Sequence, residues 1–310
     1  MPLGTVLELL AQVALLMALG FFLKKRGLVT PGFQQGLSDF LMYAVMPFSV
    51  LASAGSEYSP DLAGRLGQAG LIACGYYLAA LALCGLLAKK ALCKKAPARQ
   101  GIFVTMAVFA NTGFIGLPVM KALYGSEGFL YGIIYNMAYQ VFLFTLGVML
   151  LGGSRKFRWR ALYGDPVTVL SVAALLIYLS PFRFPALLDG LFNQIGDMCV
   201  PISMIVTGCC VADVKFRDIL REKSAYLISL LRLLALPLAM LAVLAALKLD
   251  PVLTAACVVL TGLPVGSLNV ILAQRYGADT GFATTAVVQS MLLFLASLPL
   301  VLLCLEWWVF

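Results

Sequence analysis

The stretch FANTGFIGLPVM, Phe109–Met120, interrupts an apolar run that extends from Gly101 to Tyr124. It holds an Asn, a Thr, two Gly and a Pro among otherwise apolar residues. Proline removes a helix hydrogen bond, and glycine costs about 1 kcal/mol relative to alanine inside a helix. In hydrocarbon, the backbone groups that such a break frees need partners, so the break must be buried in protein or line a wet cavity. The stretch therefore predicts a broken membrane helix.

A second apolar run carries a comparable break, TGLPVGSLNVILA, at Thr261–Ala273. Two interrupted hydrophobic segments, one in each half of a chain, are typical of the binding site of a secondary transporter. The rest of the sequence is therefore analysed with a transporter as the leading hypothesis.

The composition is that of a membrane protein. Of the 310 residues, 62% are hydrophobic and 12% are charged, whereas soluble domains have about 45–50% apolar and about 25% charged residues. The mean hydropathy is +0.98. The chain has no histidine, which removes the commonest metal ligand, and its eight cysteines form no CxxC pair. We therefore expect no metal site and no cofactor.

Ten apolar runs are long enough to cross about 30 Å of hydrocarbon. They lie near 4–23, 36–55, 66–88, 101–123, 128–151, 165–182, 188–212, 225–247, 252–274 and 281–305. Seventeen of the 22 Lys and Arg residues fall in loops on one side of these spans and four on the other. This asymmetry predicts a multi-pass protein of the cytoplasmic (inner) membrane with both termini outside the cytoplasm. Because each basic cluster is short and adjoins a span, we expect no nucleic-acid partner.

The two halves of the chain repeat. Tyr124-Gly125 closes the fourth span and Tyr276-Gly277 closes the ninth, while Pro47 and Pro201 occupy the centres of the second and seventh. The two offsets are nearly equal. Five spans is an odd number, so the second copy must be inverted in the membrane, as in many transporters. We predict an all-α fold of two inverted five-helix repeats, residues 1–152 and 153–310, with crossing broken helices 4 and 9.

Helix geometry places both breaks near the middle of the membrane. At 1.5 Å per residue, Asn111 lies about 18 Å beyond Arg99, and Pro264 lies about 20 Å beyond Pro251. The positive N-terminal ends of the half-helices favour an anion there. Asn111, Thr112 and Asn269 can add hydrogen bonds to a carboxylate. The alternative is that both breaks are kinks that serve packing only.

These segments resemble the auxin efflux carrier family, which includes plant auxin exporters and bacterial malate and malonate permeases. The resemblance covers essentially the whole chain, and four stretches carry it: ANTGFIGLPV, YNMAYQVFLFTLG at Tyr135–Gly147, PISMIVTGCCVAD at Pro201–Asp213, and LPVGSLNVILAQRYGAD at Leu263–Asp279. It implies a fold that resembles the bile-acid transporters and the sodium–proton antiporters. The first two helices of each repeat would form a scaffold, and the last three would move.

The resemblance and the two breaks together predict the residues of the substrate site. In the family pattern an Asn often follows the ninth-helix Pro by four residues, whereas here it follows by five, so Ser267 is expected to share its role. Two further residues lie on one face of the fifth helix, where they either line the cavity or join helices. The predicted set is Asn111, Thr112, Gly113, Pro118, Pro264, Ser267 and Asn269, with Asn136 and Gln140 from the fifth helix.

Two charged residues in the spans have alternative interpretations. Asp197 is either an ion-coupling group that binds H⁺ or Na⁺, or a helix cap at the outer interface. Arg232 either has a structural role or attracts an anion. Transport is therefore coupled through Asp197, through the membrane potential, or not at all.

The function predicted from the sequence is secondary active or facilitative transport of a small organic anion by alternating access. The substrate would be a carboxylate such as malate, malonate or an auxin-like acid. An intramembrane enzyme would need paired acidic motifs or histidine ligands, and a channel would need a continuous polar path. The alternative is a membrane-embedded ligand sensor that has the transporter fold and no flux. The expected partners are the substrate, H⁺ or Na⁺, the lipid bilayer and, as an open alternative to a monomer, a second copy of the chain.

Overall fold

A computed structural model describes residues 3–55, 59–92, 99–152, 166–180, 182–212 and 222–309. Within these ranges the chain is helical and forms no β-strand. The helices are α1 (Leu3–Lys25), α2 (Pro31–Ala54), α3 (Pro60–Leu92), α4 (Gln100–Val108), α5 (Thr112–Leu150), α6 (Pro166–Leu179), α7 (Ala186–Gly196), α8 (Cys199–Ala212), α9 (Lys223–Ala246), α10 (Pro251–Thr261), α11 (Leu268–Arg275) and α12 (Thr280–Trp308).

Six helical segments of the described chain are long and apolar enough to cross a membrane: α2, α3, α5, α7 with α8, α9 and α12. The chain is therefore a multi-pass membrane protein. The limits of α2, α3, α9 and α12 agree closely with the predicted second, third, eighth and tenth spans. The predicted fourth and ninth spans are each divided into two pieces. The fourth consists of α4, which has 9 residues, and the start of α5, while the ninth consists of α10, with 11 residues, and α11, with 8.

Helix α5 is bent at Gly125, whose φ of 60° lies in the left-handed region that favours glycine. The bend separates a first arm, 112–124, from a second arm, 126–150. These arms correspond to the second part of the predicted fourth span and to the predicted fifth span. Gly125 thus lets α5 change direction between its first and second arms.

Helices α1 and α8 pack through glycines on both partners. A Cβ on Gly20 would lie 2.1 Å from the carbonyl oxygen of Ile205, and a Cβ on Gly208 would lie 1.9 Å from that of Met17. Contacts of this length exclude any side chain, so only glycine lets the two backbones approach. Small residues serve helix contacts in membranes because lipid provides little hydrophobic drive for association.

Two groups of ion pairs join helix ends. At the start of α3, Arg65 lies 2.7 Å from Asp250, which precedes α10, and 3.5 Å from Glu127 at the start of the second arm of α5. Asp250 also caps α10, because its side chain accepts a hydrogen bond from Leu253 N. We call Arg65, Asp250 and Glu127 the first triad, and it joins α3, α5 and α10.

The second triad consists of Arg99, Asp279 and Glu222. Arg99 precedes α4 and lies 2.6 Å from Asp279 and 3.5 Å from Glu222. Asp279 caps α12 by accepting a bond from Phe282 N, and Glu222 caps α9 by accepting one from Ser224 N. The second triad therefore joins α4, α9 and α12.

Candidate functional site: the crossing of two broken helices

The two predicted breaks meet. Helix α4 ends at Val108, Phe109 has extended backbone, and α5 begins at Thr112. Ala110 forms an isolated antiparallel bridge with Val265, which lies in the break between α10 and α11. The two interrupted chains therefore cross at Ala110 and Val265, and we call this point the crossing.

Backbone hydrogen bonds hold the crossing together. Asn111 N donates to Pro264 O at 2.9 Å, and Gly266 N donates to Phe109 O at 3.1 Å. A Cβ on Gly266 would lie only 2.7 Å from Ala110 O, so this position requires glycine. The groups freed by each break thus find their partners in the other break, which is how an interrupted helix can persist in a membrane.

The first turn of α5 is a π-turn, Thr112–Gly116. Asn111 O accepts from Gly116 N at 3.0 Å, and Asn111 Oδ1 accepts from Phe114 N at 3.2 Å, so Asn111 caps the helix through its side chain. Pro118 lies beyond this π-turn, inside the continuous helix. The backbone leaves helical geometry at Phe109–Asn111 rather than at this proline.

The second arm of α5 lies against the crossing. Thr112 Oγ1 donates to Asn136 Oδ1 at 2.7 Å, and both side chains are buried. A Cβ on Gly113 would lie 3.9 Å from the same Asn136 oxygen. Gln140 lies one turn further along the arm and is buried, and the neighbouring Tyr139 hydroxyl would lie 3.2 Å from a Cβ on Gly266. This turn of the helix therefore flanks both breaks.

The second break contributes Pro264, Ser267 and Asn269. Ser267 is the residue before α11 and is half-buried, while Asn269 in the first turn is fully buried. Asn269 Nδ2 donates to Phe109 O at 2.8 Å. The Oδ1 atom of the same amide has no hydrogen-bond partner among the described residues. Sequence reasoning missed Ser290 of α12, whose hydroxyl accepts from Val265 N at 3.0 Å.

Arg232 is fully buried in α9 and binds the ends of both broken helices. Its guanidinium donates to Ala107 O and Val108 O at the end of α4, and to Thr261 O at the end of α10. Its Nε donates to Leu263 O at 2.8 Å. A helix C-terminus carries a partial negative charge, so Arg232 neutralises two of them at once. These contacts match the structural interpretation of Arg232 and give it a definite function.

Aromatic side chains pack against the α3 side of the crossing. The Tyr77 ring is stacked on Phe109 at 5.8 Å and on Phe142 at 5.3 Å between ring centroids. Tyr135 shares a 2.7 Å hydrogen bond between its hydroxyl and Thr261 Oγ1 at the end of α10. Aromatic rings therefore cover this side of the helix ends.

Asp197 lies apart from the crossing, in the turn that joins α7 to α8. Its side chain is 71% exposed and lies 2.9 Å from Lys121 Nζ, which projects from the first arm of α5. Lys121 Nζ also lies 3.4 Å from Ser49 Oγ of α2, and that hydroxyl donates to Gly196 O at 2.8 Å. Asp197 thus belongs to a contact between α5 and the pair α2–α7.

A narrow crevice lies beside the crossing, between α1, α8, α12 and the π-turn. Its lining is mostly apolar: Met17, Ile115, Met204, Thr207, Met291 and Phe294. In the part of the chain that the structure describes, no group of three or more His, Cys, Asp or Glu residues could hold a metal ion. The polar groups that the structure brings together at the crossing are amides, hydroxyls, helix ends and Arg232.

The sequence is similar to known membrane transport proteins. The sequence profile of a family described as "Membrane transport protein" matches residues 5–158 and 154–302. An "Uncharacterized transporter" of Methanothermobacter thermautotrophicus is 26% identical over 200 residues, which are 63% of this chain and 64% of that protein. The "Uncharacterized transporter YfdV" of Escherichia coli K12 is 26% identical over 219 residues, 67% of this chain and 68% of its own length.

Proposed function

Because the chain belongs to this family of membrane transport proteins, that of the auxin efflux carriers, we propose that it is a secondary active or facilitative transporter of a small organic anion. The substrate is a carboxylate such as malate, malonate or an auxin-like acid. It binds at the crossing, where Asn111, Thr112 and Asn269 face it, and the protein is a carrier rather than an enzyme. The two relatives are themselves named transporters.

The observation that carries this proposal is the arrangement of helix ends at the crossing. The negative ends of α4 and α10 are bound by Arg232, whereas α5 and α11 begin at the crossing with their positive ends. Helix N-termini bind anions through their free amides and their partial positive charge. The site is therefore suited to a carboxylate.

We further propose ten spans in two inverted repeats, 1–152 and 153–310. The two triads support this arrangement. The first joins helices that are the third, fifth and ninth spans of the proposal, and the second joins the fourth, eighth and tenth. Inversion relates these sets to each other. The two matches of the family profile overlap at 154–158, close to the proposed boundary between residues 152 and 153.

The triads also indicate which helices move together. The first triad ties α3, α5 and α10 together, and the second ties α4, α9 and α12. The crossing, with Arg232 of α9 bound to the ends of α4 and α10, joins these two groups and α11 into one unit, while α1, α2, α6, α7 and α8 form the scaffold. Transport by alternating access moves the unit past the scaffold, and the contact of Lys121 with Asp197 joins the two on one face of the membrane. In this proposal Asp197 binds H⁺ or Na⁺, or the membrane potential drives transport. We place the protein in the inner membrane with both termini outside the cytoplasm. Whether it associates into a homodimer is decided by the molecular mass of the purified protein in detergent.

The proposal is tested by uptake of labelled malate, malonate and indole-acetate into proteoliposomes, with an imposed pH gradient, sodium gradient or potential. We expect Asn111→Ala to abolish flux, because Asn111 caps the helix at the site. Asn193→Ala is the matched control: Asn193 is exposed on α7 and bonds only within its own helix. The driving gradient identifies the coupling.

Two other outcomes would count against the transporter. Binding of these acids without flux in a folded wild-type protein would favour the sensor, which has the same fold and no transport. Absence of both binding and flux would reject the carboxylate as the substrate class.

A further inference from the structure

This inference rests on the proposed function. The charges at the crossing indicate which carboxylates would bind there, because they determine the net charge that the ligand should carry. A helix C-terminus carries about −0.5 charge and an N-terminus about +0.5. Helices α4 and α10 end at the crossing, so their C-termini together contribute about −1, and the single positive charge of Arg232 cancels it. Helices α5 and α11 begin there and contribute about +1.

Among the buried side chains of the described residues, Arg232 is the only one that carries a charge. None of these side chains therefore offsets the remaining positive charge of about +1 at the starts of α5 and α11. The Asn111 amide that caps α5 is neutral and leaves the partial charge of that helix in place. In a site shielded from water, a ligand with one negative charge balances the remainder, whereas a dianion leaves a buried excess charge that costs free energy.

The amide of Asn269 gives a second, independent constraint. Its orientation is fixed because Nδ2 donates to Phe109 O, so the remaining atom, Oδ1, is an acceptor. The side chain is fully buried, and Oδ1 has no hydrogen-bond partner in the described chain. A buried acceptor without a donor is unfavourable, and a ligand that brings a donor relieves this cost.

We propose that the crossing binds a singly charged carboxylic acid that also carries a hydrogen-bond donor, a hydroxyl or an N–H, near its carboxylate. The carboxylate lies at the starts of α5 and α11, and the donor binds Asn269 Oδ1. Acids that lack a donor bind less tightly. Acids that carry two negative charges, as malate and malonate do at neutral pH, also bind less tightly, so among the acids named above the auxin-like acid fits best.

The test compares three acids on the purified wild-type chain by titration calorimetry at neutral pH. Lactate has one charge and a hydroxyl, propionate has one charge and no donor, and malonate has two charges and no donor. We expect lactate to bind roughly threefold to tenfold more tightly than propionate, the value of one net hydrogen bond. Malonate is expected to bind more weakly than propionate.

A charge change at the site tests the same inference without altering the ligand. Gln140 lies in the helix turn that flanks both breaks. Gln140→Glu adds a negative charge that cancels the positive charge of about +1 at the starts of α5 and α11, so it should abolish binding of lactate. Asn193→Asp is the matched control, because it adds the same charge on exposed α7, away from the crossing, and it should retain binding.

The failures are distinguishable. Equal binding of lactate and propionate would overturn the requirement for a hydrogen-bond donor on the ligand. Tightest binding of malonate would overturn the requirement for a single negative charge. Neither result would contradict the proposed transport of a carboxylate. If none of the three acids binds a folded wild-type protein, both this inference and the proposed substrate class fail.

Discussion

At the scale of single residues, one buried arginine determines whether two broken helices can end side by side. Arg232 donates four hydrogen bonds of 2.5 to 3.1 Å to backbone carbonyls. Without it, the partial negative charges at the ends of α4 and α10 would lie close together and unpaired. The residue therefore belongs to the framework of the site.

Replacement of Arg232 by Met should destabilise the protein strongly, because several buried carbonyls lose a charged donor and each costs about 1–3 kcal/mol. We expect an apparent Tm at least about 5 °C below the wild type in detergent. Arg183→Met is the control, since exposed Arg183 also donates to two carbonyls, Ser180 O and Phe182 O. An unchanged Tm in Arg232→Met would show that the carbonyls find other partners.

At the scale of helices, the sequence predicted which segments break but not how the breaks are held. Pro and Gly within apolar runs indicate a break from local propensity alone. The first break lies at Phe109–Asn111 because these backbone groups bond to Pro264 and Gly266, and pairing between distant segments leaves no local signal. The role of Arg232 was undecided from sequence for the same reason, since its acceptors lie on two other helices. The predicted Asn111, Thr112, Asn136 and Asn269 do lie together.

The packing of α1 on α8 gives a prediction at this scale. Gly208→Ala should lower the free energy of unfolding by about 1–3 kcal/mol, because the added methyl group would meet Met17 O. Thermal unfolding in detergent measures the effect. The control is Gly75→Ala in α3, where a Cβ meets nothing within 4 Å, and it should be neutral or stabilising by up to about 1 kcal/mol. Equal Tm values for the two variants would contradict close packing of α1 on α8.

At the scale of the whole molecule, the ion pairs of the described residues divide into those within the proposed moving unit and one that joins this unit to the scaffold. Both triads join helices of the unit. Lys121 and Asp197 instead link the first arm of α5 to α7. Relative movement of unit and scaffold must therefore break this pair, whereas the triads can persist.

Lys121→Met should favour opening on the face where Lys121 lies. A cysteine placed at Thr207, in the crevice beside Ile115, would react with a membrane-impermeant thiol reagent about 1.5 to 5 times faster, in a chain without its native cysteines. That factor corresponds to a pair worth about 0.2–1 kcal/mol, as expected for an exposed aspartate.

The charge-reversed double variant, Lys121→Asp with Asp197→Lys, should restore the slow reaction. Arg65→Met serves as the control, because it disrupts the first triad within the unit and should leave the labelling rate unchanged. Faster labelling in Arg65→Met alone would assign the linking role to the triad.

The bridge between Ala110 and Val265 has a consequence for the divergence of such proteins. Its hydrogen bonds use main-chain atoms alone, so the two strands of the crossing keep their alignment whatever side chains they carry, provided that Gly266 remains. A neighbouring side chain such as Asn111, which bonds only to the helix that it caps, can then be exchanged during evolution without loss of the crossing. Homologues with the same architecture are therefore free to acquire different cargoes by substitution at a few positions.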